Sequence, residues 1–282
     1  MLSSGKSLLS PADGPFAWAQ AMNVKQSIRE LDTVDENIDF ALNWHQATES
    51  SLDRMYDLLL NAQQLAIASV KPSSEEETLA RVTEMEQLCE EAQQVANTQY
   101  NNLYIFSGWG IDYVDGKTVL TASNPPFDSD LNYQGSTDSL KVRTNTSRNE
   151  TVNLDGETVF VIQDADGQPI NILQMLADLR DSIRDSVATD DVQAIQDAQE
   201  LIAIAQQHIS SQQAMVGARM ASLDQRKEVL ADLKIYAQER YAEIAEPDYV
   251  DLIMQFQQKQ TALEAAMKVT SLISELNLTK YL

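Results

Sequence analysis

An apolar residue recurs at every seventh position between residues 190 and 245. The repeat runs without a missed position through Ile195, Ile202, Ile209, Val216, Leu223, Leu230, Ala237 and Ile244. Such a long sevenfold spacing is typical of a helix that packs along a single stripe. We therefore predict one uninterrupted helix, roughly 80 Å long at about 1.5 Å per residue, with these apolar residues as its bundle seam. The second position of the repeat is partly polar, since Gln212, Arg219 and Arg226 stand where apolar residues would be usual.

Three further helices are predicted upstream of this long helix. Pro15 suits the first turn of a helix, where its missing N–H needs no partner, and apolar residues follow at spacings of three and four from Ala21 to Leu42. We expect this helix to continue to Ser69. Ser74 and Glu77 have the spacing of a capping box and open a second helix. A shorter helix is predicted over residues 170–187. Together with the long helix, these three can share one core.

The middle of the chain has a different composition. Most of the glycines lie between residues 108 and 167, and Asp-Gly pairs stand at 115–116, 155–156 and 166–167. Asp-Gly beside short β-branched runs favours tight turns, so we predict a small domain of β-hairpins. The predicted strands include Lys117–Thr121, Leu140–Val142 and Thr158–Ile162.

The predicted fold is therefore mainly α with a β insertion, an α+β class with the two kinds of element segregated. A long antiparallel helical bundle or coiled coil is formed by residues 15–106 and 168–245, and the β domain is inserted between its two halves. Residues 1–14 form an N-terminal segment that leads into the bundle. The outer β domain covers residues 107–167, and residues 246–282 form a C-terminal assembly helix.

The C-terminal helix has an apolar surface broader than one helix can hide. Glu246-Pro247-Asp248 separates it from the long helix, because proline removes a backbone donor and disfavours helix at the preceding residue. A helix of this kind needs a partner, which is either its own bundle or another chain. We predict an assembly interface formed by Tyr249, Ile253, Phe256, Leu263, Met267, Leu272, Ile273 and Leu276.

Composition argues against several kinds of chemistry. The net charge of −23 would repel nucleic acid and anionic lipid. Cys89 is the single cysteine, and His45 and His208 are the only histidines, so we predict no metal site, no cofactor and no catalytic residue. Asp164-Ala165-Asp166-Gly167 is read as a plain turn because the glutamate that completes a calcium loop is missing. We expect a protein that is not an enzyme.

The motif Leu103-Tyr104-Ile105-Phe106-Ser107-Gly108, preceded by Gln99-Tyr100-Asn101-Asn102, resembles a segment of the flagellar hook-associated proteins in the flagellin family. In that family the segment leaves the first helical hairpin for the outer domain. Residues 2–6, 11–15, 216–219 and 276–282 resemble other family motifs, although Gly14 replaces the usual aspartate. The Tyr-Ile-Phe-Ser-Gly form and the Tyr-Leu terminus favour the hook–filament junction proteins over filament flagellins.

The resemblance implies a structural subunit of the bacterial flagellum. It implies export without a cleaved signal peptide, a location outside the cell, and self-assembly between hook and filament. The implied partners are other copies of the chain, the neighbouring hook-associated protein, flagellin and an export chaperone, with no nucleic acid and no membrane. A filament flagellin is the alternative within this class. A helical-bundle sensor or ligand-binding domain is the alternative outside it, and it would need a membrane anchor that the sequence does not contain.

Family members also begin with a further helix ahead of the residues that match this chain. The resemblance therefore implies that the sequence lacks the helix that pairs with its C-terminal helix.

Overall fold

In a computed structural model, the described part of the chain contains six α-helices, two short 3-10 helices and eight short strands. The structure describes residue 8 and residues 10–71, 74–114, 117–145, 148–164, 166–189, 192–246 and 249–275. Internal contacts divide the chain into two compact units. One unit contains Val34–Glu228, and the other contains Met1–Thr33 together with Val229–Leu282.

The first two helices begin where the sequence predicts. Helix α1 spans Pro15–Ser69 and helix α2 spans Glu75–Ala96. The Ser74 hydroxyl accepts a hydrogen bond from the Glu77 amide, and the Glu77 carboxylate accepts one from the Ser74 amide. Because this reciprocal pair satisfies amides that a helix start leaves free, the predicted capping box is confirmed.

Two more helices follow the β insertion. Helix α4 spans Ile172–Thr189, and helix α5 spans Gln193–Ala245 without a break. The predicted start of α4 at residue 170 is wrong by two residues, because Pro169–Asn171 form a strand. The Asn171 side chain then accepts a hydrogen bond from the Leu173 amide at 2.9 Å, so the helix starts only after the strand. Helix α6, Tyr249–Glu275, ends the described chain.

The strands form four separate antiparallel hairpins. They pair β1 (Gln99–Tyr100) with β2 (Leu103–Tyr104), β3 (Ile111–Val114) with β4 (Lys117–Leu120), β5 (Lys141–Asn145) with β6 (Arg148–Thr151), and β7 (Val161–Gln163) with β8 (Pro169–Asn171). The predicted β insertion is thus confirmed as a set of hairpins.

One predicted strand is wrong. Residues Gly156–Phe160 form a short helix, α3, and only Val161 and Ile162 of the predicted Thr158–Ile162 strand are extended. The Asp155 carboxylate accepts hydrogen bonds from the Thr158 amide at 2.7 Å and from its hydroxyl at 2.9 Å. This N-cap outweighs the β propensity of the residues that follow.

The Val34–Glu228 unit has one core between helices and hairpins. Helices α1 and α5 run antiparallel, as shown by the Asp39–Lys227 ion pair, the Asp53–Gln213 hydrogen bond and the Gln63–Gln206 hydrogen bond. Helix α2 packs on α4. The predicted fold class, a helical bundle with an inserted β region, is therefore confirmed.

In the other unit, the start of α1 and the end of α5 are joined by an ion pair between Asp32 and Lys234 at 2.8 Å. Val24 and Leu31 of α1 line a shallow groove together with Leu233 and Tyr236 of α5. Among the described helices, none has a stretch apolar and long enough to span a bilayer.

Candidate assembly interface

Helix α6 exposes apolar side chains along its length. Every residue from 253 to 273 is exposed, so no other described part of the chain covers this stretch. The apolar side chains with half or more of their surface exposed include Val250, Ile253, Met254, Phe256, Leu263, Met267, Val269, Leu272 and Ile273. Contiguous exposed apolar surface on a protein marks a site of association.

Six of the eight predicted interface residues fall within this exposed stretch. Exposure ranges from 50% at Phe256 to 65% at Ile273. The side chain of Tyr249 and the whole of Leu276 lie outside the described part of the chain. Of the two partners considered for this helix, its own bundle does not cover the stretch from 253 to 273.

The seam of α5 has the opposite environment. Ile195, Ile202, Ile209, Val216 and Leu223 have no exposed surface, and Leu230 has 5%. Ile244 and Ala237 are partly exposed. Among the polar residues at the second heptad position, Gln212 is buried at 7% exposure and Arg219 is half-buried.

The family motif begins as a tight hairpin. Asn101 and Asn102 take φ values of +51° and +64° between β1 and β2, a left-handed turn that asparagine tolerates better than most residues. After this turn, Leu103 and Tyr104 remain partly exposed, while Ile105 is buried at 1% exposure. The hairpin therefore directs the chain from the end of α2 into the core.

The rest of the motif holds the β insertion together. The Phe106 carbonyl accepts hydrogen bonds from the Gly156 amide at 2.7 Å and the Tyr133 hydroxyl at 3.1 Å. The Ser107 hydroxyl donates to the Thr121 carbonyl at 2.7 Å. Segments far apart in the sequence thus meet at two consecutive motif residues.

Gly108 is required by both backbone angle and space. Its φ is +73°, and a Cβ built there would lie 1.7 Å from the Ser136 carbonyl oxygen. A residue with a side chain fits only if the backbone moves.

Sequence reasoning missed the aromatic cluster beneath this motif. The ring of Phe160 lies 5.0 Å from that of Phe106 and 5.4 Å from that of Phe127, edge to face in both cases. The Tyr133 ring is 5.4 Å from Phe127. Burial raises the pKa of Tyr133 well above its usual range, so its hydroxyl remains a hydrogen-bond donor. The aromatic residues in the predicted β insertion were the sequence signal that could have indicated this cluster.

The residues that were considered for catalysis or metal binding make contacts that are ordinary for a folded protein. His208 Nε2 donates to the Thr158 carbonyl at 3.0 Å. Asp164 accepts hydrogen bonds from the amides of Asp166 and Gln168, as expected for a turn. Cys89 is half-buried rather than fully buried, and burial raises the pKa of its thiol to about 11. Within the described residues, no three histidine, cysteine or acidic side chains are placed to hold a metal.

Comparison with known proteins agrees with the fold and the motif. Residues 1–110 match the bacterial flagellin N-terminal helical region. Flagellar hook-associated protein 3 of Escherichia coli (strain K12) is 23% identical over 283 residues, covering 95% of this chain and 86% of that protein. The chain is thus similar to flagellar hook-associated protein 3 along most of its length.

Solved structures of similar fold carry related descriptions. A flagellar hook-associated protein from Vibrio parahaemolyticus has a TM-score of 0.69 at 15% identity, covering 83% of this chain and all of that one. Flagellar hook-associated protein-3 from Legionella pneumophila has a TM-score of 0.66 at 15% identity, covering 79% and 98%. This chain therefore shares their fold, and the resemblance predicted from its motifs is confirmed.

Proposed function

We propose that this chain is a structural subunit of the bacterial flagellum that joins the hook to the filament by lateral and axial packing. The observation that carries the proposal is the unbroken exposure of residues 253–273 on a helix rich in apolar side chains. Burying such a surface against other subunits releases free energy of about 25 cal/mol per Å² of apolar area. An assembly subunit needs this surface, whereas an enzyme would need a cleft with convergent polar groups.

Charge also favours association through α6. The chain as a whole has a net charge of −23, which opposes close approach of identical subunits. Helix α6 is nearly neutral, because its acidic residues Asp251, Glu264 and Glu275 are almost balanced by Lys259 and Lys268. Subunits that meet through α6 therefore avoid most of the repulsion.

The proposed partners follow from the same surface. They are other copies of the chain, the neighbouring hook-associated protein and flagellin, in a flagellum outside the cell. An export chaperone would cover the apolar helix before assembly, and export would proceed without a cleaved signal peptide. The proposed role requires neither a cofactor nor a substrate.

The test is complementation of a strain that lacks the gene. Removal of residues 249–282 should abolish attached filaments while the purified protein keeps its helical circular dichroism. A sharper variant replaces Phe256 and Leu263 by glutamine, which keeps the helix and removes apolar surface. The matched control replaces the polar neighbours Gln257 and Thr261 by alanine and should support normal motility.

Attached filaments in the deletion strain would refute the proposal. The alternative role, filament flagellin, predicts that the purified chain polymerises by itself into long filaments. Electron microscopy of concentrated protein distinguishes the two roles, because a junction subunit should form no filament alone.

A further inference from the structure

His45 lies in the middle of the core on helix α1. Its side chain has no exposed surface, and neither ring nitrogen is bonded to any group in the part of the chain that the structure describes. Buried polar atoms in proteins are almost always hydrogen-bonded, and an unbonded one costs free energy. Histidine is therefore not the residue that would make the folded protein most stable at neutral pH at this position.

The group opposite His45 is a cation. The antiparallel pairing of α1 with α5, marked by the contacts of Asp39 with Lys227 and of Asp53 with Gln213, places Arg219 near His45. Arg219 is the charged side chain whose field acts on His45. Its Nη1 is buried without a partner among the described residues, and its Nη2 donates to the Met215 sulfur at 3.4 Å.

No described carboxylate offsets this arrangement. Glu49, one turn along α1 from His45, is partly exposed and accepts a hydrogen bond from the side-chain amide of Gln46. The neighbouring Trp44 packs edge to face on Tyr100 and Trp109, which bring no charge at neutral pH. A proton added to His45 therefore has no buried counter-charge and faces a positive one.

We propose that His45 and Arg219 form an acid-sensitive contact, in which protonation of His45 places two uncompensated positive charges in the core and loosens the packing of α1 on α5.

The direction of the effect follows from the two states of the chain. Burial, with the charge of Arg219 as the second cause, lowers the pKa of His45 from 6.5 to about 4. Between these pH values the unfolded chain binds one more proton at this residue than the folded chain, so acidification favours unfolding. Well above pH 6.5 the imidazole is neutral in both states, and the residue contributes no pH dependence. Between pH 7 and 4.5, the contribution of His45 should raise the unfolding equilibrium constant roughly 50-fold.

The chain is well suited to a direct test because it contains two histidines. Proton NMR of the full chain should show two imidazole Hε1 signals, and His208→Gln should remove one of them. The signal that remains should stay constant from pH 7 down to about 5 and begin to move only below that value. A midpoint at pH 6 or above for this signal would overturn the proposal.

A stability measurement tests the consequence. Urea unfolding at pH 7 and pH 4.5 compares the wild type with His45→Met, which keeps an unbranched side chain of similar length without a titratable group. The variant should lack the 50-fold contribution, while His208→Gln should behave as the wild type does. Carboxylates titrate equally in all three proteins, so the difference between them isolates His45.

Arg219→Gln gives an independent readout. Removing the cation should move the His45 midpoint upward towards its ordinary value, because one of its two causes is gone. An unchanged midpoint in Arg219→Gln, or an unchanged pH dependence in His45→Met, would contradict the proposal. The NMR titration of the wild type decides the matter even if His45→Met does not fold.

Discussion

Helices α5 and α6 both carry apolar residues from end to end, but the α5 seam is buried from Ile195 to Leu230, whereas the apolar residues of α6 are exposed. The α5 seam residues Ile209 and Val216 have no exposed surface, whereas Leu263 and Ile273 of α6 are 60% and 65% exposed. The difference lies in the spacing. A sevenfold repeat gathers the apolar residues of α5 on one stripe, which neighbouring elements can cover. In α6 they spread around the helix, and hiding them takes several neighbours.

The largest effect should come from Gly108→Ala in the β insertion, which tests how tightly the buried part of the molecule is packed. A left-handed conformation costs a residue with a side chain about 2 kcal/mol, and overpacking adds about 3 kcal/mol, so we expect a loss of about 5 kcal/mol. Gly167→Ala is the matched control, since its φ of +78° is similar but nothing lies within 4 Å of the added Cβ. It should lose only about 2 kcal/mol. Equal losses in urea unfolding would show that space around Gly108 is not limiting.

The comparison itself is tested by trimming one apolar side chain from each helix. Ile209→Ala should destabilise the monomer by about 3 kcal/mol, because it leaves a cavity in the core. Leu263→Ala should change stability by less than about 0.5 kcal/mol, because the side chain is exposed. Thermal unfolding of dilute protein measures both. A comparable loss in Leu263→Ala would mean that α6 is covered within the monomer and would break the comparison.

The smallest expected effect is the coupling energy of polar side-chain pairs, which should be larger for a pair on α5 than for a pair on α6. Arg226 and Glu150 join α5 to strand β6 at 2.5 Å with side chains 24% and 16% exposed, and Arg226 also donates to Thr144 at 2.9 Å. A double-mutant cycle on this pair should give a coupling of about 1–2 kcal/mol. The Gln260–Glu264 pair on α6 should give about 0.3 kcal/mol or less, since it is solvated. A similar coupling in both pairs would contradict the difference in environment.

The sequence predicted the long helices well because their signals are local. A repeat of seven residues and a capping box need no knowledge of distant neighbours, and α5 begins within three residues of the predicted boundary at 190. Helix α3 was missed for the opposite reason. Its residues Thr158 and Val159 favour strand, but the Asp155 cap and the aromatic packing of Phe160 decide the outcome.

For the interface and for the buried polar residues, too, the sequence predicts local features but not those that depend on distant residues. The apolar content of α6 could be predicted from the sequence. Its exposure could not, because it depends on whether other parts of the chain pack against the helix. His45 stands four residues after Ala41 on the buried stripe of α1, a spacing that could have revealed its burial. The absence of a hydrogen-bond partner could not be read, because it depends on residues far along the chain. The predicted domain limits and interface residues stay predictions.

The antiparallel pairing of α1 and α5 also governs the kinetics of folding. Asp39 and Lys227, which contact each other across the two helices, are 188 residues apart in sequence. Each β-hairpin can close soon after its own residues are made, whereas the bundle must await the last third of the chain. Contacts of such long range impose a large loop-closure entropy and slow the rate-limiting step. A nascent chain of this protein therefore carries α1 without its α5 partner until the residues of α5 have been made.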